Sequence, residues 1–171
     1  MELLIPGLIL VALMAYASTR LKKATARALE AEDVETDEFS ITKPAGFINV
    51  VTPDDGLLFQ AYTKEFADTA PNARKAAATI RVTEYATIGQ VVDELKQSAG
   101  FVSSRPENDA ADSPVTVRID RVEDGVTFHR SIKLIQKDDR VYRLQFDTPA
   151  ECQDEFLIAG REINESFELK R

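Results

Sequence analysis

From Leu3 to Thr19 the chain runs seventeen residues without a charge, and the next eight carry Arg20, Lys22, Lys23 and Arg27. An apolar run of that length has few homes. At about 1.5 Å per helical residue it spans roughly 26 Å, slightly less than a hydrocarbon core of roughly 30 Å, and snorkelling cations at its end cover the shortfall. Leu3, Leu4, Ile5, Leu8 and Ile9, then Leu10, Val11, Leu13 and Met14, form the candidate anchor. Pro6 and Gly7 fall in its first turns, where proline costs a helix little.

The charges give the anchor a direction. Basic residues beside an apolar segment tend to stay in the cytoplasm, and the only charged side chain ahead of it is the acidic Glu2. The expectation is a single-pass protein with its N-terminus outside and its C-terminal domain in the cytoplasm. A second reading stays open: Ala15-Tyr16-Ala17 before Ser18 has the small-x-small form of a leader-peptidase site, which would place an exported domain in a periplasm or lumen. A buried soluble helix is the third.

Residues 1–30 thus read as anchor and basic flank, and residues 31–38, rich in Glu and Asp, as an acidic linker. Residues 39–171 have the length of one ordinary domain with a core of its own. The anchor region is net basic, so the remainder is more acidic than the whole-chain charge of −8. Such a surface repels nucleic acid phosphates and anionic headgroups, so no nucleic acid partner is expected. A single cysteine forms no internal disulfide, and one Cys with one His cannot supply the ligand set of a structural zinc; neither metal nor cofactor is expected.

Past Phe39 the pattern becomes short strands: FSITKP, FINVV before the Thr52-Pro53-Asp54-Asp55-Gly56 turn, LLFQAYTKEF and AAATIRVTEY. Thr87 and Gln90 form a capping box, Ile88, Val91, Val92, Leu95 and Ala99 share a helical face, and Gly100 ends that helix. Residues 101–114 read as the longest loop. Three strands follow as an antiparallel ribbon, with turns at Glu123-Asp124-Gly125 and Lys137-Asp138-Asp139-Arg140. Thr148-Pro149-Ala150-Glu151 reads as an N-cap, and Cys152, Phe156, Ala159 and Ile163 as the buried stripe of a last helix.

Phe39-Ser40-Ile41 followed by Lys43-Pro44-Ala45-Gly46-Phe47, a central helix, a long hairpin, Val141-Tyr142-Arg143-Leu144, Thr148-Pro149-Ala150-Glu151 and Ile163-Asn164-Glu165-Ser166-Phe167 stand in an order that resembles the PsbP-like family across about residues 39–169. That family includes the extrinsic photosystem II subunit, a Ran-binding transport factor and bacterial envelope proteins. The resemblance implies an α+β fold, an antiparallel sheet between helices, and a non-catalytic binding or assembly role. Phe47 stands where the family usually has tryptophan, and no metal or chloride position maps onto matching residues, so no functional residue is carried over. Many relatives are exported, which opposes the cytoplasmic direction.

Two residues are candidates for chemistry. His129 alternates with Thr127, Ser131 and Lys133, opposite Val126, Ile132 and Leu134; a lone strand histidine reads as a solvated surface group unless a partner orients it. Cys152 lies near a helix N-terminus, but its place on the apolar stripe reads as a buried packing thiol. Arg130, on the apolar face of its strand, either snorkels or pairs with a carboxylate. The combined expectation is a membrane-anchored, non-enzymatic module that binds a protein of a membrane complex. The alternative is a small-ligand carrier or sensor.

Overall fold

The structure is a computed structural model that describes residues 4–63, 65–67, 70–98, 100–107 and 113–170. Helix α1 (Leu4–Ala28) leads into strands β1 (Glu32–Glu35) and β2 (Phe39–Lys43). Strands β3 (Ile48–Asn49) and β4 (Leu57–Tyr62) follow, then a two-stranded ribbon of β5 (Glu65–Ala67) and β6 (Ala70–Arg74). After β7 (Ala77–Glu84) come α2 (Ile88–Gln97), β8 (Phe101–Pro106), β9 (Val115–Glu123), β10 (Val126–Lys137) and β11 (Arg140–Pro149). A 3-10 turn (Ala150–Cys152), α3 (Gln153–Ser166) and β12 (Glu168–Leu169) complete the chain.

Seven strands form one antiparallel sheet in the order β3-β4-β7-β11-β10-β9-β8, and β1-β2-β12 form a smaller one. Strand alternation splits the side chains of the large sheet between two cores. On one face Val91, Val92 and Leu95 of α2 meet Val117, Ile132 and Leu134. On the other, Ile163 of α3 and Phe39, Ile41 and Phe47 meet Ile80, Leu144 and Phe146. Gly160 lets α3 sit close, since a Cβ there would lie 2.9 Å from the Phe146 ring.

The capping box at α2 forms as its spacing predicts: the Thr87 hydroxyl accepts from the Gln90 amide, and the Gln90 side chain accepts from the Thr87 N–H. Ala99 lies outside the described residues. Gly100, expected only to end the helix, has a second task. It adopts φ +88°, and its backbone lies so near β9 that a Cβ would fall 1.6 Å from the Asp120 carbonyl oxygen.

Three local expectations change. Thr148 caps no helix: it remains in β11, its hydroxyl donates to the Lys75 carbonyl at 2.9 Å, and the chain turns through the 3-10 segment instead. The stretch 101–114 is partly strand, since Phe101–Pro106 pair with β9; residues 108–112 lie outside the described residues.

The acidic segment is a docked edge strand, because its carboxylates meet cations. Glu32 lies across from Lys43, Thr42 donates to Asp33 at 2.8 Å, Lys170 pairs with Glu35 and Arg140 with Glu38, while Val34 packs onto the core. Lys43 is fully buried. Its ammonium donates to the carbonyls of Ala28 (3.0 Å), Phe47 (3.0 Å) and Glu30, and the Gly46 N–H donates to the Leu29 carbonyl at 2.7 Å. A buried cation thus binds the last turn of α1 to the domain, where carbonyls lack helical partners. Burial pushes the Lys43 pKa down, and Glu32 and Glu30 oppose that shift.

Among the described residues no helix is long and apolar enough to cross a membrane. Leu3 and the side chains of Leu4, Ile5, Leu8, Ile9, Leu10 and Val11 lie outside the described residues. Leu13 and Met14 are exposed on α1, as are Arg20, Lys22, Lys23 and Arg27.

Candidate binding groove

The two helical layers sit at opposite ends of the large sheet. Helix α2 covers β8–β10 on one face, whereas α3 and the small sheet cover β4, β7 and β11 on the other. The β8–β10 strands are therefore bare on the α3 side. There an open groove of about 510 Å³ runs between the flank of α3 and the exposed floor of the sheet.

The floor is polar. Arg118 and Asp120 of β9 stand beside His129 and Ser131 of β10, while Phe156, Leu157 and Arg161 of α3 form the wall. Register explains the pairing. The Asp124-Gly125 turn, with φ of +48° and +79°, closes a tight hairpin that sets His129 opposite Asp120 and Ser131 opposite Arg118. His129 Nδ1 lies 2.7 Å from Asp120 Oδ1, so the histidine is half-buried and held by a carboxylate. Lys133, nearly sealed at the end of the same floor, donates to the Asn164 carbonyl at 2.8 Å and lies 3.6 Å from Glu107.

The chemistry-bearing candidates do not assemble into a nucleophilic site. His129 has the orienting carboxylate that catalysis needs, yet no hydroxyl or thiol of a described residue bonds its other nitrogen. Cys152 is buried with its pKa pushed up by burial, the opposite of an activated thiolate.

Arg130 takes the carboxylate alternative. It lies across from Asp147, and its guanidinium grips both carboxylate oxygens at 2.7 and 2.9 Å. Gln145 donates to the same carboxylate and accepts from Arg143, whose pKa burial lowers. That polar ladder, on the α2 face, satisfies itself. The groove differs: Asp120 is taken by His129 and Glu107 by Lys133, while Arg118 and Arg161 have no ion-pair partner among the described residues. Reading residue by residue missed Arg118, Asp120 and Arg161; pairing partners counted outward from the Asp-Gly turn would have found the first two.

The overall architecture is shared with solved proteins. The cyanobacterial PsbP (CyanoP) of Synechocystis sp. PCC 6803 matches 83% of this chain and 94% of its own at 12% identity and TM-score 0.57. The chain has the PsbP-like fold. LpqN of Mycobacterium tuberculosis, involved in cell envelope biogenesis, matches at 15% identity and TM-score 0.58, covering 83% of this chain and 91% of LpqN. The Ran-binding protein Mog1p of Saccharomyces cerevisiae matches at 13% identity and TM-score 0.50, covering 82% and 96%. No family model matches the sequence, and no curated protein matches it either. The PsbP-like fold is what the order of motifs from Phe39 to Leu169 implied.

Proposed function

We propose that this PsbP-like domain is a non-catalytic protein-binding or assembly module, and that the groove between α3 and the bare end of the sheet is its docking surface. One observation carries the reading: exposed Val102 and Leu157 line the same groove as Arg118 and Arg161, which have no ion-pair partner among the described residues. Unspent apolar area and unspent charge together mark a surface made for a partner. The solved relatives with this fold include a Ran-binding protein, which agrees with such a role.

We also propose that the apolar segment Leu3–Thr19 anchors the module in a bilayer, with Arg20, Lys22, Lys23 and Arg27 holding the domain on the cytoplasmic side and the partner belonging to a membrane complex. The uncharged run and the exposure of Leu13, Met14 and Tyr16 support this. Thiol accessibility at Asp37→Cys in intact cells tests the direction. Labelling from outside, or a mature chain beginning at Ser18, removes the cytoplasmic anchor.

A photo-crosslinking residue at Leu157 in native membranes tests the docking surface. A discrete protein adduct is expected there and none from Val51, which is 96% exposed and does not line the groove. Equal adducts from both positions remove the groove from the reading. A second reading, a small-ligand carrier, is favoured by the groove's size alone, which falls within the roughly 300–1,000 Å³ of ligand pockets. Native mass spectrometry that finds a bound small molecule would favour it.

A further inference from the structure

We infer that the occupant of the groove is a short acidic peptide segment with interleaved apolar side chains, supplied by a protein partner; this rests on the groove being a docking surface. The whole chain is acidic, with 29 Asp and Glu against 21 Lys and Arg, so uncompensated guanidiniums at one place are contrary to composition. Arg118 projects from the floor and Arg161 from the wall, and Arg105 of the neighbouring edge strand shares the face of Arg118 through its Thr116 partner. None of the three has an ion-pair partner among the described residues. Each guanidinium presents a planar fork suited to a carboxylate.

Charge alone does not describe the occupant. Val102 and Leu157, 55% and 53% exposed, lie within the same groove, so a ligand must bring apolar side chains as well as acids. Ser131 and Thr116 add hydroxyls suited to a peptide backbone. Strand β8 is the last of the sheet and leaves an unpaired backbone edge beside the groove, which favours an extended chain over a compact small molecule. A polyanion or an anionic leaflet would meet the field of the whole molecule, net −8, whereas a peptide with a few carboxylates meets the local field, screened within about 8 Å at physiological salt.

The test is an NMR titration of the full-length chain in nanodiscs of neutral lipid with three end-blocked octapeptides: alternating Asp and Leu, the same with Asn for Asp, and the same with Lys for Asp. The Asp peptide is expected to shift the resonances of Val102, Ser131 and Leu157, and to bind about tenfold more tightly than the Asn peptide. Arg118→Glu and Arg161→Glu should each weaken it about tenfold at an unchanged unfolding midpoint, since both side chains are exposed. Unchanged affinity in both variants overturns the inference, as do shifts confined to another surface. Groove shifts that favour the Asn or Lys peptide overturn the acidic occupant while the docking surface stands. If no peptide perturbs the groove, both fall.

Discussion

Replacing Lys43 by methionine keeps the apolar stem of a fully buried side chain and removes the ammonium that joins α1 to the domain. Three carbonyls lose a donor. Those of Ala28 and Glu30 belong to exposed residues that water reaches, so their loss costs little; the Phe47 carbonyl belongs to a residue with no exposed surface. One buried carbonyl without a donor costs about 1–3 kcal/mol, and a buried charge that is no longer desolvated returns part of that. The net expectation is about 1 kcal/mol, or a fall in Tm of roughly 3–4 °C for a domain of this size. Urea unfolding reads the stability, and double electron–electron resonance between labels at Lys22→Cys and Val51→Cys reads the joint, with buried Cys152 left unlabelled. The native chain should give one narrow distance distribution and Lys43→Met a broad one. An unchanged midpoint with an unchanged narrow distribution would refute the clamp.

Gly100→Ala should be among the most damaging single changes, about 3 kcal/mol or more, because a left-handed φ and a Cβ 1.6 Å from the Asp120 oxygen must both be accommodated; a wild-type midpoint in denaturant would show that β9 yields freely. Cys152 should resist alkylation at pH 8 until the chain unfolds. Its raised pKa also gives a sign: above the ordinary thiol value the unfolded chain loses the proton first, so stability falls as pH rises there, and Cys152→Ala should flatten that slope. Asp147→Asn should destabilise by about 1–2 kcal/mol by leaving the Arg130 guanidinium half-buried beside a neutral amide, while Arg130→Met with Asp147→Leu should recover most of the loss, as measured by a double-mutant cycle.

What could be read from the residues followed from their periodicity. Val117, Ile132 and Leu134 alternate, Val91, Val92 and Leu95 recur at helical spacing, and the core under α2 formed where those patterns pointed. The acidic run misled because a string of carboxylates reads as solvated unless its cations are known, and Lys43, Lys170 and Arg140 come from distant parts of the chain. Thr148 misled for a similar reason: its hydroxyl finds the Lys75 carbonyl, a contact made only once β11 lies beside the loop before β7. The groove was legible in part. Hairpin register fixes His129 on Asp120, but Arg161 reaches it only through the offset of α3, which no local pattern encodes.

The seam at Lys43 leaves no slack between helix and domain, so any roll of α1 about its axis turns the groove through the same angle. One residue added to the helix between Arg20 and Ala28 would rotate the Arg118 floor by about 100° relative to the start of α1, and four added residues would bring it back to within about 40° of its starting azimuth. Length in that short stalk therefore acts as a compass setting, deciding which way the groove faces relative to whatever holds the start of the helix.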